Sequence, residues 1–367
     1  MRITMSPKET VLVAMSGGVD SSVALIKIIE SGYNPIGVTM KLWGYNEVGG
    51  SDDNSCCGIN EINGAKLVCD QLGVPHYTID FQNVFKETVI DDFANEYLNG
   101  RTPNPCVRCN SYVKWDAFIK QADELGAQYI ATGHYATIGS FNNQSVIKKG
   151  VDPIKDQSYV LWGIPKDSIS RTIFPLGDLT KKQVREIARK HNLETAETPE
   201  SMEICFVADN NYNRFLNEYI PDKMESIGPG EIIDEENTVV GEHSGYTNYT
   251  VGQRKGIGLS YPDPRYVKAI DAETNTITIS TKNKLYKNEC FISNINWLIK
   301  EPGLPINAYA QIRYNSNPVL AKISIESGQA KAIFDKPQLA VTPGQSIVFY
   351  NEKNPEILIG GGIIELK

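Results

Sequence analysis

No apolar run in the sequence is long enough to span a bilayer. The first residues, MRITMSPKETVLVAMSGG, carry no signal-peptide pattern, because their apolar stretch is short and leads straight into glycines. A cytoplasmic protein without a membrane partner is the expectation. A paired-cysteine framework is missing as well. Seven cysteines are an odd count in a long chain without an export signal, which disfavours a disulfide scaffold and favours catalytic or metal-binding thiols. There is no basic excess: the net charge of -8 argues mildly against a general nucleic-acid binder. That charge is uneven, since residues 281–367 hold ten Lys/Arg against seven Asp/Glu, leaving -11 on the residues before them. Net charge therefore neither supports nor excludes an RNA partner, because the local field decides. The motifs GxxxxGK[ST] and GxGxxG are both absent, which excludes a Walker loop and a dinucleotide fingerprint. Internal repeats and low-complexity tracts are absent too. What remains is a 367-residue chain, too long for one ordinary core and suited to two or three domains.

The first half alternates strand-like and helix-like runs. Strands are expected at 11–15, 35–40, 75–80 and 129–132, and helices at 20–30, 60–72 and 84–98. This order predicts an α/β fold with a parallel sheet and helices on both faces. Ligands in such sheets bind at the carboxyl ends of the strands, where the first glycine loop lies. A helix follows at 180–191 with Thr180 as its N-cap, and a short one at 213–219. The stretch PDKMESIGPGEII is rich in turn residues and marks a boundary. Beyond it the period changes to two. Residues 267–280 read as a hairpin, and 308–313, 320–325, 330–334 and 346–350 as strands. We expect three domains: 1–220, a nucleotide-binding catalytic domain; 221–280, small and β-rich; 281–367, β-rich and barrel-like.

SGGVDSS occupies residues 16–22, between a strand and a helix. Two glycines let the backbone fold tightly and turn several N–H groups towards an anion. The helix behind them adds the positive end of its dipole. Ser16, Ser21 and Ser22 can donate to phosphate oxygens. Asp20 would repel a phosphate unless it held a cation, which implies Mg²⁺. A bare SGG would favour a simple glycine turn with a serine-capped helix; the whole string in this setting does not. It resembles the pyrophosphate loop, or PP-loop, of the ATP-pyrophosphatase superfamily. That resemblance implies that ATP is cleaved between its α and β phosphates, leaving AMP on a substrate oxygen.

TPNPCVRCN spans residues 102–110. Its prolines keep the approach extended, and a helix can begin near Cys106 or Cys109 and run to about Leu125. A thiol near a helix N-terminus has more thiolate character, and Arg108 can help. Cys205, in SMEICFVAD, is a second, isolated thiol. Several readings stay open at this point. A zinc site would want another pair, and only Cys56–Cys57 and the lone Cys69 are on offer. A thioredoxin-like redox centre would leave ATP unexplained. An iron–sulfur cluster on Cys106, Cys109 and Cys205 is a minor alternative. Cys69 and Cys290 read as inert buried thiols.

The strings AMSGGVDSS, TPNPCVRCN, ATGHYA, KDQSYVLW, ICFVAD, GYTNYTVGQRKGIGLS, QIRYNS and TPGQ run in this order through nearly the whole chain. Together they resemble the tRNA-specific 2-thiouridylase family. The resemblance implies a PP-loop domain followed by two small β-rich domains, the last a β-barrel that binds tRNA. It implies ATP-dependent 2-thiolation of the wobble uridine U34 in tRNAs for Lys, Glu and Gln. Sulfur would arrive from a cysteine desulfurase through relay proteins. Residue by residue, Cys109 becomes the nucleophile and Cys205 the persulfide carrier, with a transient Cys109–Cys205 disulfide. ATP would meet Ala14, Met15, Ser16, Gly17, Gly18, Val19, Asp20, Ser21, Met40 and Gly133. Asn104, Pro105 and Cys106 would flank the target base. His134, Lys155, Asp156, Gln157, Arg313, Tyr314 and Gln345 would meet tRNA.

Some family members carry an aspartate where this chain has Cys106, so a role for that carboxylate does not carry over. Blander readings stand beside the tRNA set. His134 can be a satisfied strand-end histidine, and Lys155–Asp156 a surface pair of little energetic weight. Arg254 and Lys255, in GQRKG, read equally well as phosphate contacts or as a solvated loop. Arg313–Tyr314 pairs a phosphate binder with a stacking ring, or is an ordinary strand edge. A rival function is a PP-loop synthetase that uses ammonia on a small carbonyl substrate. It lacks a glutaminase-like segment and leaves both cysteines and the β-rich domains without a task.

Overall fold

A computed structural model describes residues 8–43, 59–198, 204–207 and 209–365. The chain forms two compact units. The first comprises Met1–Thr88, Cys106–Asn210 and Glu356–Leu358; the second comprises Val89–Pro105, Asn211–Pro355 and Ile359–Lys367.

The chain runs β1 (Thr10–Ala14), α1 (Val19–Glu30), β2 (Asn34–Lys41), α2 (Ile59–Leu72), β3 (His76–Asp80), α3 (Gln82–Phe85), α4 (Asp91–Leu98), α5 (Pro105–Arg108) and α6 (Phe118–Glu124). It continues through β4 (Tyr129–Ala131), the antiparallel pair β5 (Ala136–Phe141) and β6 (Gln144–Lys149), β7 (Thr172–Ile173) and α7 (Lys181–Lys190). Five strands pair in parallel in the order β3-β2-β1-β4-β7. Val11, Leu12 and Val13 are fully buried, as a strand covered on both faces must be. On α1, Val23, Ala24, Leu25, Ile26 and Ile28 are buried in one cluster with Val11 and Val13. The strand order reverses at β1. The chain leaves it for β2 and β3, then returns to its other side through β4. That reversal leaves a crevice at the carboxyl ends of β1 and β4, and the glycine loop follows β1 there.

Two helical stretches widen into π geometry. Residues expected as one helix over 84–98 form α3, a π-helical Lys86–Ile90 and α4. The expected helix after Cys106 forms α5, a π-helical Cys109–Ala117 and α6. In each, a hydroxyl bonds a carbonyl four residues back: Thr88 to Val84 at 2.6 Å, Ser111 to Val107 at 2.8 Å. Such bonds compete with the regular ladder.

The second unit begins with the chain excursion 89–105, which the expected boundary near 220 does not anticipate. Tyr219 donates to Asp91 at 2.6 Å, Tyr246 to the Leu98 carbonyl at 2.6 Å, and the Thr102 N–H to the Pro343 carbonyl at 2.9 Å. After α8 (Tyr212–Tyr219), the stretch read as a turn-rich boundary starts as a helix, α9 (Pro221–Ile227). Pro221 opens it, where a missing N–H costs nothing, and Gly228 follows at φ 60°. Strands β8 (Gly230–Ile233), β9 (Val239–His243), β10 (Tyr266–Asp271) and β11 (Thr276–Ser280) form a sheet in the order β10-β11-β8-β9. β10 and β11 are the expected hairpin. Six strands then close a barrel in the order β12-β15-β14-β13-β16-β17. They are β12 (Tyr286–Trp297), β13 (Ile306–Gln311), β14 (Val319–Glu326), β15 (Gln329–Leu339), β16 (Ser346–Asn351) and β17 (Leu358–Glu365).

Candidate active site

Gly17 sits at φ 75°, and a Cβ there would lie 2.5 Å from the Glu61 carbonyl oxygen of α2. Only glycine fits this bend. Gly18 is the N-cap of α1 and, as a glycine, has no side chain to cap it. The first N–H groups of a helix begun in this way can serve as donors for an anion. The loop is folded on itself: the Ser16 N–H and hydroxyl lie 3.2 Å from Ser21 Oγ, which donates to the Gly18 carbonyl at 3.0 Å. Ser22 departs from expectation. It is fully buried, donates to the Gly18 carbonyl at 2.9 Å and accepts from Thr195 at 3.1 Å, so its hydroxyl serves the fold. Gly133, just after β4, would press a Cβ to 2.9 Å from the Asp20 carbonyl carbon and 3.0 Å from the Ser21 nitrogen. Ala14 ends β1 and Val19 begins α1. Met15 bonds the Val38 carbonyl at 2.8 Å, and Met40 lies buried near the end of β2. The expected nucleotide residues thus gather at one edge of the sheet.

Asp20 departs from expectation more sharply. Both carboxylate oxygens lie 2.8 Å from the Lys181 ammonium, and Tyr135 Oη donates to Oδ1 at 2.7 Å. The cation that offsets Asp20 is a lysine of α7. Asp20 therefore has a counter-charge within the chain itself. Among the described residues, no three His, Cys, Asp or Glu side chains converge as a metal site.

Cys109 opens the π-helical stretch and is 6% exposed, whereas Cys106, one turn earlier, is exposed. The segment behind Cys109 is tightly packed. Asn110 is buried, donates from Nδ2 to the Val160 carbonyl at 2.9 Å, and leaves Oδ1 without a partner among the described residues. A Cβ at Gly163 would overlap the Ser111 hydroxyl and lie 3.3 Å from Val107. Trp115 donates to Thr172 at 2.9 Å. Residues 158–163 thus form a backing for the Cys109 helix. Cys205 is half-buried and precedes buried Phe206, whose ring meets Phe85 edge-on at 5.8 Å. Phe85 belongs to α3, which also packs against the Cys109 helix. Both thiol-bearing segments therefore share α3 as a neighbour. Burial pushes the Cys69 and Cys290 thiols up to about 12, which makes them poor nucleophiles. Cys56 and Cys57 lie outside the described residues.

The residues expected to meet tRNA separate into two kinds. His134 is buried between Trp115 and Phe174 and shares a 2.8 Å hydrogen bond with Thr132. Burial, with Lys114 nearby, holds its pKa well below the ordinary range and keeps the ring neutral. Asp156 turns inward, accepting from the Gly150 and Ser158 N–H groups and, at 2.8 Å, from the Ser158 hydroxyl. Gln157 accepts from the Tyr135 N–H at 3.0 Å. These three side chains hold their own loops, and Lys155 is half-buried beside them. Tyr314 is exposed, but Arg313 donates from one nitrogen to the Ala340 carbonyl and the Thr342 hydroxyl, at 2.6 and 2.8 Å. Gln345 donates to the Thr102 and Pro103 carbonyls at 3.2 and 2.8 Å, strapping the approach to half-buried Asn104 and buried Pro105. Arg254 and Lys255 are exposed. Sequence reasoning missed Lys181, Tyr135, Asn110 and Gly163. Lys181 carried the only signal, a lysine at a helix start, where the dipole disfavours it.

Family models match in three successive blocks: a tRNA methyl transferase HUP domain over residues 9–209, a tRNA methyl transferase PRC-barrel domain over 213–281, and an aminomethyltransferase beta-barrel domain over 287–364. A relative from Carboxydothermus hydrogenoformans, tRNA-specific 2-thiouridylase MnmA, is 46% identical and is aligned over 98% of each chain. Relatives of the same name from Salinibacter ruber and Halothermothrix orenii are both 44% identical, covering 98% and 97% of this chain and 95% and 99% of theirs. With that similarity along its whole length, and with the HUP-domain model alone matching more than half of it, this chain belongs to the tRNA-specific 2-thiouridylase family.

Proposed function

We propose that this chain is an ATP-dependent tRNA-uridine 2-sulfurtransferase of the cytoplasm that acts on the wobble uridine U34. The observation that carries the reading is the uncapped glycine loop at the β1/β4 crevice, in the same compact unit as two thiol-bearing segments that both pack on α3. A uracil carbonyl is a poor electrophile with a poor leaving oxygen. Transfer of AMP to O2, with loss of pyrophosphate, makes C2 attackable and gives the oxygen an exit. The loop N–H groups and the α1 dipole stabilise charge that develops on the phosphates. Magnesium would enter with the ATP phosphates and help neutralise them.

Cys205 then presents a persulfide, whose terminal sulfur attacks C2 as AMP departs. Cys109 attacks the inner sulfur, the Cys205 Sγ, which frees the thiolated base and leaves a Cys109–Cys205 disulfide. Alternatively, Cys109 first reduces the persulfide, and the sulfide released attacks C2. An external thiol returns both cysteines to the reduced state. The base must leave its stack to reach this chemistry, flanked by Asn104, Pro105 and Cys106. We assign tRNAs for Lys, Glu and Gln as substrates and sulfur-relay proteins as donors. Tyr314 is exposed and well suited to stack on RNA.

Cys109→Ser and Cys205→Ser are each expected to abolish 2-thiouridine while leaving tRNA affinity within about twofold. Mass spectrometry of tRNA nucleosides, from reactions with persulfide-loaded enzyme, makes the check. Normal product from either variant removes the two-cysteine scheme.

A further inference from the structure

We infer that Lys181 is a phosphate-contacting residue of the nucleotide loop, supplied from α7, and not only the structural partner of Asp20. The inference rests on the adenylation reading above. Residues 16–22 contain no cation, and their one charged side chain, Asp20, is negative. A Walker loop carries its own lysine to the phosphates; this loop does not. Cleavage between the α and β phosphates nonetheless builds negative charge on departing pyrophosphate, and preorganised positive charge is what lowers such a barrier.

Lys181 brings that charge. Its ammonium lies 2.8 Å from both Asp20 oxygens and 5.9 Å from the centre of the Tyr135 ring, with the side chain 12% exposed. Its backbone is pinned: Thr180 and Gln183 form a capping box at the start of α7, and the Lys181 N–H donates to Asp152 at 3.0 Å. The long side chain is the part left to move. Lysine at the first helical position also opposes the helix dipole, which favours acidic residues there. Breaks of a local rule of this kind are expected at functional or strained sites. An entering phosphate oxygen competes with a carboxylate for the same ammonium. Asp20 keeps its Tyr135 hydrogen bond while the lysine shifts, so the carboxylate is not stranded. Asp20 thus parks the lysine when no nucleotide is present.

The test uses the full-length protein, with inorganic pyrophosphate and ATP as calorimetric probes and tRNA affinity as the control for folding. K181M is expected to bind pyrophosphate at least tenfold more weakly than wild type, with tRNA affinity unchanged. K181R is expected to recover part of the loss, and D20N/K181M none of it. K181Q gives the same comparison where the methionine variant does not fold. Pyrophosphate binding by K181M within twofold of wild type overturns the inference. So does wild-type affinity in D20N/K181M, which would make the lysine a mere counter-ion. Failure of wild-type protein to bind either probe would instead sink the adenylation reading, so the two failures are distinguishable.

Discussion

A methyl group at position 163 would collide with the Ser111 hydroxyl, two residues beyond Cys109. Overpacking of this kind costs about 1–3 kcal/mol and is relieved by moving the weaker element. Here that element is the π-helical turn carrying Cys109, the proposed nucleophile. Gly163→Ala is therefore expected to slow single-turnover thiolation at least tenfold while leaving ATP affinity alone. Ser111→Ala in the same chain makes room and is expected to restore most of the rate. A double variant as slow as G163A would show that the contact does not position Cys109. Gly163 was illegible beforehand, because a glycine's neighbours across space leave no trace in its flanking residues. The nucleotide loop was legible for the opposite reason: its glycines, serines and helix start are contiguous. Asp20 was half legible. The need for a counter-charge could be read, but its source on α7, far along the chain, could not. For His134, Asp156 and Gln157 the hydrogen bonds to their own loops were not legible, since a polar residue in a motif looks the same whatever it bonds.

Arg101 ties the excursion before Cys106 to the last strand of the barrel. It donates to Glu96 at 2.8 Å and makes a two-pronged pair with Glu365, which also accepts from Ser293. Burial pushes the Glu365 carboxyl up, but the Arg101 and Ser293 hydrogen bonds outweigh it and hold the pKa below the ordinary value. A carboxyl depressed in the folded state contributes stability above its unfolded pKa and loses it as pH falls through the folded one. Wild type is therefore expected to lose thermal stability on acidification below about pH 4.5, in part through Glu365. Glu365→Gln should melt lower at pH 7, and the gap should close towards pH 3. Melting curves across that range decide it, and a constant gap would assign the loss to packing. Among the elements, β13 to β16 and the β10–β11 hairpin were readable because apolar residues alternate along much of their length. β12 and β17 were not. The first carries polar side chains along its outer face, and LIGGGIIE in β17 has glycines where alternation would show. The π turns were hidden too, since Thr88 and Ser111 look like ordinary helix residues until their hydroxyls are seen to bond backwards.

At the scale of the whole chain, strand–helix alternation was enough to predict a parallel sheet, and the change to period two enough to predict β-rich folding behind it. The excursion 89–105 was not foreseen, because contiguous sequence suggests contiguous domains while hydrogen bonds to Pro343 and Gln345 hold this segment in the second unit. The boundary between Pro105 and Cys106 falls within TPNPCVRCN itself. In the proposed mechanism the two half-reactions can be separated. Adenylation needs the loop, ATP and a presented base; sulfur transfer needs the thiols as well. A protein carrying both Cys109→Ser and Cys205→Ser should therefore bind tRNA, cleave ATP and stop. Rapid-quench assays are expected to show a burst of about one pyrophosphate per active site, dependent on tRNA, followed by turnover limited by decay of the adenylated base. AMP should be found on the tRNA at the end of the burst, and 2-thiouridine should be absent. Release of ADP and orthophosphate would show cleavage at the wrong phosphoanhydride and remove the adenylation step. A double variant that releases no pyrophosphate at all would show that the thiols are needed to present the base, and the two halves of the chemistry would then be inseparable.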